Sequence, residues 1–129
     1  MAISMATTLR NNRLDAISDF AGPGALLRLY TTSYGTLLVE CECDPGAFAP
    51  NASGAVLTAN PIANGIAVAA GAAAIARLYQ SDGVTLVMQG MTVSDTSGSG
   101  DIKMSQTGTT VSAGQTVIID SLTITEGNA

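Results

Sequence analysis

Two periods divide the chain. Leu9, Arg13, Ile17 and Phe20 recur at helical spacing with Leu14 alongside, and Thr7 and Thr8 stand ahead of them as N-cap candidates. Gly22-Pro23-Gly24 stops this pattern, with glycine where a helix ends and proline just beyond. The polar side of the predicted helix carries Arg10, Asn11, Asn12, Asp15 and Asp19. From Ala25 onward the period is two. Ala25 to Thr31 reads as a strand with Leu27 and Leu29 on one face and Leu26, Arg28 and Tyr30 on the other. After a turn through Thr32-Ser33-Tyr34-Gly35, Thr36 to Asp44 puts Leu37, Val39, Cys41 and Cys43 on one face. Glu40, Glu42 and Asp44 take the opposite face. One side is buried and the other is wet.

Breakers punctuate the rest. Asp44-Pro45-Gly46 ends the second strand, and Ala47 to Gly54 is a loop that carries Phe48. Short strands are predicted over Ala55 to Ala59, Ile62 to Ala69, Ala74 to Gln80, Val84 to Val93 and Asp101 to Gln106, with a long last one over Gln115 to Thr125. Asp82-Gly83 between two alternating runs is a hairpin signal. Ser94 to Gly100 reads by composition as a flexible loop. Arg28-Leu29-Tyr30 and Arg77-Leu78-Tyr79 open two similar hairpins, read as equivalents with one on each of two sheets. In the last strand, Val117 and Ile119 share one parity while Leu122 and Ile124 share the other. A bulge near Ile119 to Ser121 would bring both pairs to the core and release Asp120 to solvent; the alternative is a central strand buried on both faces, with Asp120 paired. The predicted fold is all-β, an antiparallel β-sandwich of jelly-roll type with a short N-terminal helix. Residues 1–24 form the arm and helix, and residues 25–129 the sandwich domain.

Composition narrows what such a fold could do. The 129 residues are 47% hydrophobic and only 12% charged, with 10 acidic and 5 basic side chains and no histidine. Five scattered cations on a chain of net charge −5 do not make a polyphosphate site, so no nucleic-acid partner is expected. Without histidine there is no imidazole base and no histidine metal ligand. The most apolar stretch, Ile62 to Ala76, is mostly alanine and is interrupted by Asn64, Gly65 and Gly71, so no membrane span is expected. Met1 to Thr8 shows neither a basic n-region nor a long apolar run, so no secretory signal is read there. A surface rich in Ser, Thr, Asn, Gly and Ala suits contact with neighbouring subunits.

Three constellations could carry chemistry. Cys41 and Cys43 supply two thiolates where a structural zinc wants four ligands, and their position beside Leu37 and Val39 favours buried, reduced thiols. Asp95-Thr96-Ser97-Gly98-Ser99-Gly100-Asp101 faintly resembles a calcium loop but has two carboxylates only, so a solvated hairpin connection is favoured and no metal is expected. Glu40, Glu42 and Asp44 have no nucleophile or base beside them, and Gly98-Ser99-Gly100 is no nucleophile elbow. No enzyme activity, catalytic residue or cofactor is expected.

The order of segments resembles a family of small virion structural proteins of tailed bacteriophages and prophages. The likeness rests on Asn12-Arg13-Leu14-Asp15-Ala16 in the helix, Leu27 to Tyr30, Leu37-Leu38 and Asp44-Pro45-Gly46-Ala47-Phe48. It continues, after an Ala/Gly/Asn-rich middle, through Arg77 to Gly83 and Val117 to Thr125. Departures are Thr31 to Gly35 in place of an Asp-Gly turn, and Ile75-Ala76 where an aromatic would precede Arg-Leu. The resemblance implies a head decoration or cement protein on the capsid surface, assembled in the host bacterial cytoplasm. The major capsid protein is then its partner, and a homo-oligomer, dimer or trimer, its form. The alternative is a tail or head–tail component or a host-adhesion module. A carbohydrate-binding sandwich is disfavoured by the absence of Trp. The expected partner contacts are Leu9, Arg10, Arg13, Ile17, Phe20 and Phe48.

Overall fold

A computed structural model of the protein describes residues 6–43, 52, 54, 56–59 and 62–125. A helix, α1 (Thr7–Ala21), leads into β1 (Ala25–Tyr30), a 3-10 turn (Thr32–Tyr34) and β2 (Leu37–Cys43). There follow β3 (Val56–Thr58), β4 (Gly65–Ile66), β5 (Gly71–Ala72), β6 (Ile75–Tyr79) and β7 (Leu86–Asp95). The last are β8 (Ile102–Met104), β9 (Thr110–Val111), β10 (Thr116–Val117) and β11 (Ile119–Thr125). Seven strands make one curled mixed sheet in the order β2-β1-β6-β7-β8-β11-β3, while β10 pairs with β4 and β5 with β9.

The helix has the predicted extent, and Gly22 at φ 67 ends it by donating its N–H to Ser18 O. Its N-cap is Ala6 with no side-chain cap, so neither Thr7 nor Thr8 serves as one. The buried side differs from the predicted stripe. Leu14 and Ala21 are buried with Ile17 packed against the core, whereas Leu9 and Phe20 are 49% and 52% exposed. Successive helical residues turn by ~100°, which sets Leu14, Ile17 and Ala21 on one side and Leu9, Arg13, Ala16 and Phe20 on another. The first set joins the core.

Strand faces follow the alternation except at Leu37, which was expected on the buried face and is half-buried because the extra residue Leu38 shifts the parity. Ala25, Leu27 and Leu29 of β1 and Val39, Cys41 and Cys43 of β2 are buried, while Glu40 and Glu42 are exposed. Leu38 is an extra residue, since Leu29 faces Val39 but Tyr30 faces Leu37, and it is buried as well. The last segment breaks as its parity requires. Ile119 faces Met104 and Ser121 faces Lys103, so Asp120 is the bulged residue. Val117, Ile119 and Leu122 are buried, Ile124 packs against the core, and Asp120 is exposed.

The pairing is not wholly antiparallel as expected: β7 and β8 run parallel, with Val93, Ser94 and Asp95 facing Ile102, Lys103 and Met104. Parallel neighbours normally need a crossover of a dozen or more residues, yet residues 96–101 suffice here. The stretch read as a flexible hairpin loop is a packed return. Gly98 and Gly100 lie so close to Ser94 that a Cβ on either would meet it at 2.5 and 2.7 Å. Gly100 N–H donates to Ser94 Oγ at 2.9 Å, and Asp101 Oδ2 accepts from Thr92 N and Oγ1.

Residues 63–68 lie along the outer edge of β2, with Ala63 N–H donating to Glu42 O and Val68 N–H to Leu38 O. β4 within that segment pairs with β10, which runs directly into β11. The edge strand β2 is thereby covered, and its end of the curled sheet is tied through β4 and β10 to β11, next to the other end. Gly65 makes the tie possible. A Cβ there would stand 2.5 Å from Glu40 O, 2.6 Å from Val39 Cγ2 and 2.9 Å from Cys41 Sγ.

Candidate functional site

The predicted partner contacts separate once folded. Leu9, Arg13 and Phe20 share the uncovered side of α1, whereas Arg10 and Ile17 are half-buried toward the sheet. Phe48 lies outside the described residues, as does Asp44. The helix is fastened from several directions: by Leu14 and Ala21 in the core, by Ala52 N–H donating to Asp15 Oδ1 at 2.7 Å, and by Gln80 Nε2 donating to Phe20 O at 2.7 Å. The side bearing Leu9 and Phe20 is therefore presented on a fixed support.

A second surface was only half visible in the sequence. The two Arg-Leu-Tyr segments do not lie on separate sheets. They are adjacent antiparallel strands, β1 and β6, and Arg28 faces Arg77 directly. Two like charges in register repel, and each is stacked on an aromatic ring of the other repeat. The Arg28 guanidinium carbon sits 4.5 Å from the Tyr79 ring centre, and that of Arg77 sits 5.5 Å from Tyr30. The exchange is reciprocal, as a local two-fold axis between the arginines would make it. Two additions break the symmetry. Arg28 Nε pairs with Glu40 Oε2 at 2.6 Å, whereas Arg77 stacks on a further ring, Tyr34, at 3.8 Å. Tyr34 and Tyr30 meet edge to face at 5.5 Å. All three tyrosines of the chain are gathered here. The repeat was legible; the shared strand pairing, which depends on long-range register, was not.

Tyr34 reaches its place through an unusual backbone. Ser33 and Tyr34 both have φ of 57, a region that costs non-glycine residues of order 1 kcal/mol or more each. Thr31 offsets part of that cost by bracketing the turn: its carbonyl accepts from Tyr34 N–H and its Oγ1 from Thr36 N–H.

The other constellations are committed to structure. Cys41 and Cys43 are free and fully buried. Burial pushes the Cys41 thiol up to about 11, against a lowering hydrogen bond from the Gly65 backbone, and the Cys43 thiol up to about 12. Asp95 accepts from Ser97 N and Oγ through Oδ1 and from Gly108 N through Oδ2. These bonds, that from the Ser97 hydroxyl foremost, hold its carboxyl below the usual range. Among the described residues, no group of three or more His, Cys, Asp or Glu side chains is placed to hold a metal ion. A groove of about 320 Å³ opens beside the β11 bulge, lined by Thr58, Ile62, Asn64, Ile118 and Asp120 among others. No described helix is long and apolar enough to cross a membrane.

Comparison with family models, with curated proteins and with solved structures finds no match to the chain.

Proposed function

We propose that the chain is a non-enzymatic virion structural protein of a tailed bacteriophage, a head decoration protein that binds the outside of the assembled capsid. It would bridge neighbouring subunits of the major capsid protein and add interface that resists the pressure of packaged DNA. The observation that carries this reading is the rigidly held α1 with Leu9 and Phe20 half-exposed on one side, next to Ala16 and Arg13. The sparsely charged composition and the segment order resembling phage virion proteins support it. In the same reading the curled sheet and the two small ladders are the layers of a jelly-roll-like sandwich.

Magnitudes say how such docking would work. Fully burying one Leu or Phe is worth ~1.5–3 kcal/mol, so covering what remains exposed on Leu9 and Phe20 yields about 2 kcal/mol per copy. That is too little for stable attachment. Oligomerisation to a dimer or trimer and repetition across a lattice multiply it through effective concentration. Co-sedimentation with capsids isolated without this protein tests the contact. Leu9→Asp/Phe20→Asp should fold normally and lose binding, and full binding by the folded variant would remove α1 from the interface.

A further inference from the structure

The arginine pair on β1 and β6 is unequal in a way that the fold does not need. Arg28 has a ring beneath it and a carboxylate beside it. Among the described residues, Arg77 has two rings but no carboxylate within ion-pair distance, and its Nε–H, shielded from solvent, meets no acceptor. In a chain of net charge −5, no described carboxylate pairs with this guanidinium, while the two rings hold it firmly. The holding is costly: it uses the left-handed backbone at Ser33 and Tyr34 to bring a ring to 3.8 Å. A guanidinium fixed in orientation by stacking loses little freedom when it receives a planar carboxylate through parallel N–H donors. Arg and Tyr together are also the residues most enriched where binding energy concentrates.

We infer that Arg77, seated against Tyr30 and Tyr34, is a receptor for a side-chain carboxylate of an acidic peptide segment on a partner protein. The inference stands apart from the virion reading, since it rests on the charge and geometry of this cluster alone. Self-association through this surface is disfavoured, because two copies would bring their arginine pairs face to face. A nucleic-acid strand is disfavoured by the net negative charge.

The test is an NMR titration of the full chain, following the Arg77 side-chain resonances, with end-blocked hexaglutamate as the probe. Hexaglutamate should shift them saturably, the response should weaken with added salt, and end-blocked hexaglutamine should leave them unmoved. Arg77→Lys keeps the charge but loses the planar fork. It should bind hexaglutamate about tenfold more weakly, while Lys103→Gln, on β8, should bind as the parent does. Equal responses to hexaglutamate and hexaglutamine would overturn the inference, and that comparison needs no variant to fold. No shift with hexaglutamate, undiminished binding by Arg77→Lys, or a stronger response to oligothymidylate would overturn it too.

Discussion

Gly65→Ala puts the closure of the curled sheet to a direct test. Gly65 is buried and its φ lies outside the left-handed region, so a substitution there costs sterics alone. The added methyl would stand 2.5 Å from Glu40 O, 2.6 Å from Val39 Cγ2 and 2.9 Å from Cys41 Sγ, and relief requires a shift approaching an ångström. None of the three can yield easily. Glu40 lies in the middle of β2, in register with Arg28, and the Val39 and Cys41 side chains are fully buried. Nor can residues 63–68 retreat, because Ala63 N–H and Val68 N–H donate to β2 at 3.1 and 2.8 Å and Ala67 N–H donates to Gln115 O at 2.8 Å. Overpacking a tight core usually costs ~1–3 kcal/mol, and contact with fixed backbone puts this case near the top, at about 3 kcal/mol. For a chain of this size that is a fall in Tm of roughly 10 °C. Thermal and urea unfolding followed by circular dichroism would measure it. Gly108→Ala is the comparison: its φ is 74 and nothing lies within 4 Å, so only backbone strain, ~1–2 kcal/mol, applies. A Gly65→Ala protein as stable as the parent, or more stable than Gly108→Ala, would refute the proposed closure.

The remaining predictions use other parts of the fold. Leu14→Ala should cost ~2–5 kcal/mol because Leu14 is fully buried, while Leu9→Ala should stay within ~0.5 kcal/mol by the same unfolding assay. Cys41 and Cys43 should resist iodoacetamide at pH 8 in native protein and react together in urea, as read by intact mass, since burial holds both thiols far above that pH. Deleting Asp120 removes the bulge yet keeps Ile119, Ser121 and Leu122 on their present faces, so it should be tolerated. Deleting Lys103 from the facing strand shifts Met104 against Ile119 and should unfold the protein. Asp82 and Asp95 titrate below the ordinary range, chiefly through hydrogen bonds from Thr85 and Ser97 respectively. Their contribution is complete above the unfolded-state value of ~4 and is lost as pH falls through the lower folded-state value. The urea midpoint should therefore drop between pH 5 and pH 3, and drop less in an Asp82→Asn/Asp95→Asn variant.

What the sequence disclosed was local. Val39 to Cys43 announced its buried face because Glu40 and Glu42 take the other, whereas Leu37 was misplaced because the bulge at Leu38 shifts the parity before it. The parity conflict between Val117/Ile119 and Leu122/Ile124 narrowed the choice to a bulge or a strand buried on both faces, and the register shift between Ile119 and Ser121 is the bulge. Hidden features depended on the rest of the chain. Helical spacing grouped Leu9 with Ile17 and Phe20, but which side of α1 is covered is decided by the sheet it meets, and Leu14 and Ala21 won that contact. Ser94 to Gly100 reads as a solvated loop because Ser and Gly favour one. Here the same small residues allow a tight parallel return over Ser94 that no pattern of apolar residues encodes. The Arg-Leu-Tyr repeat was plain to see. That Arg28 would face Arg77, with each stacking on the other repeat's tyrosine, follows from β1–β6 register alone.

Location and copy number on the particle test the central proposal most directly. On the proposed reading, particles of the phage or prophage that would encode this chain can be imaged by cryo-EM, and their protein stoichiometry measured by quantitative mass spectrometry. The account predicts on the order of hundreds of copies, following the symmetry of the capsid lattice, with α1 turned toward the major capsid protein. Absence from the particle would contradict it. So would a handful of copies confined to the tail or to the head–tail junction.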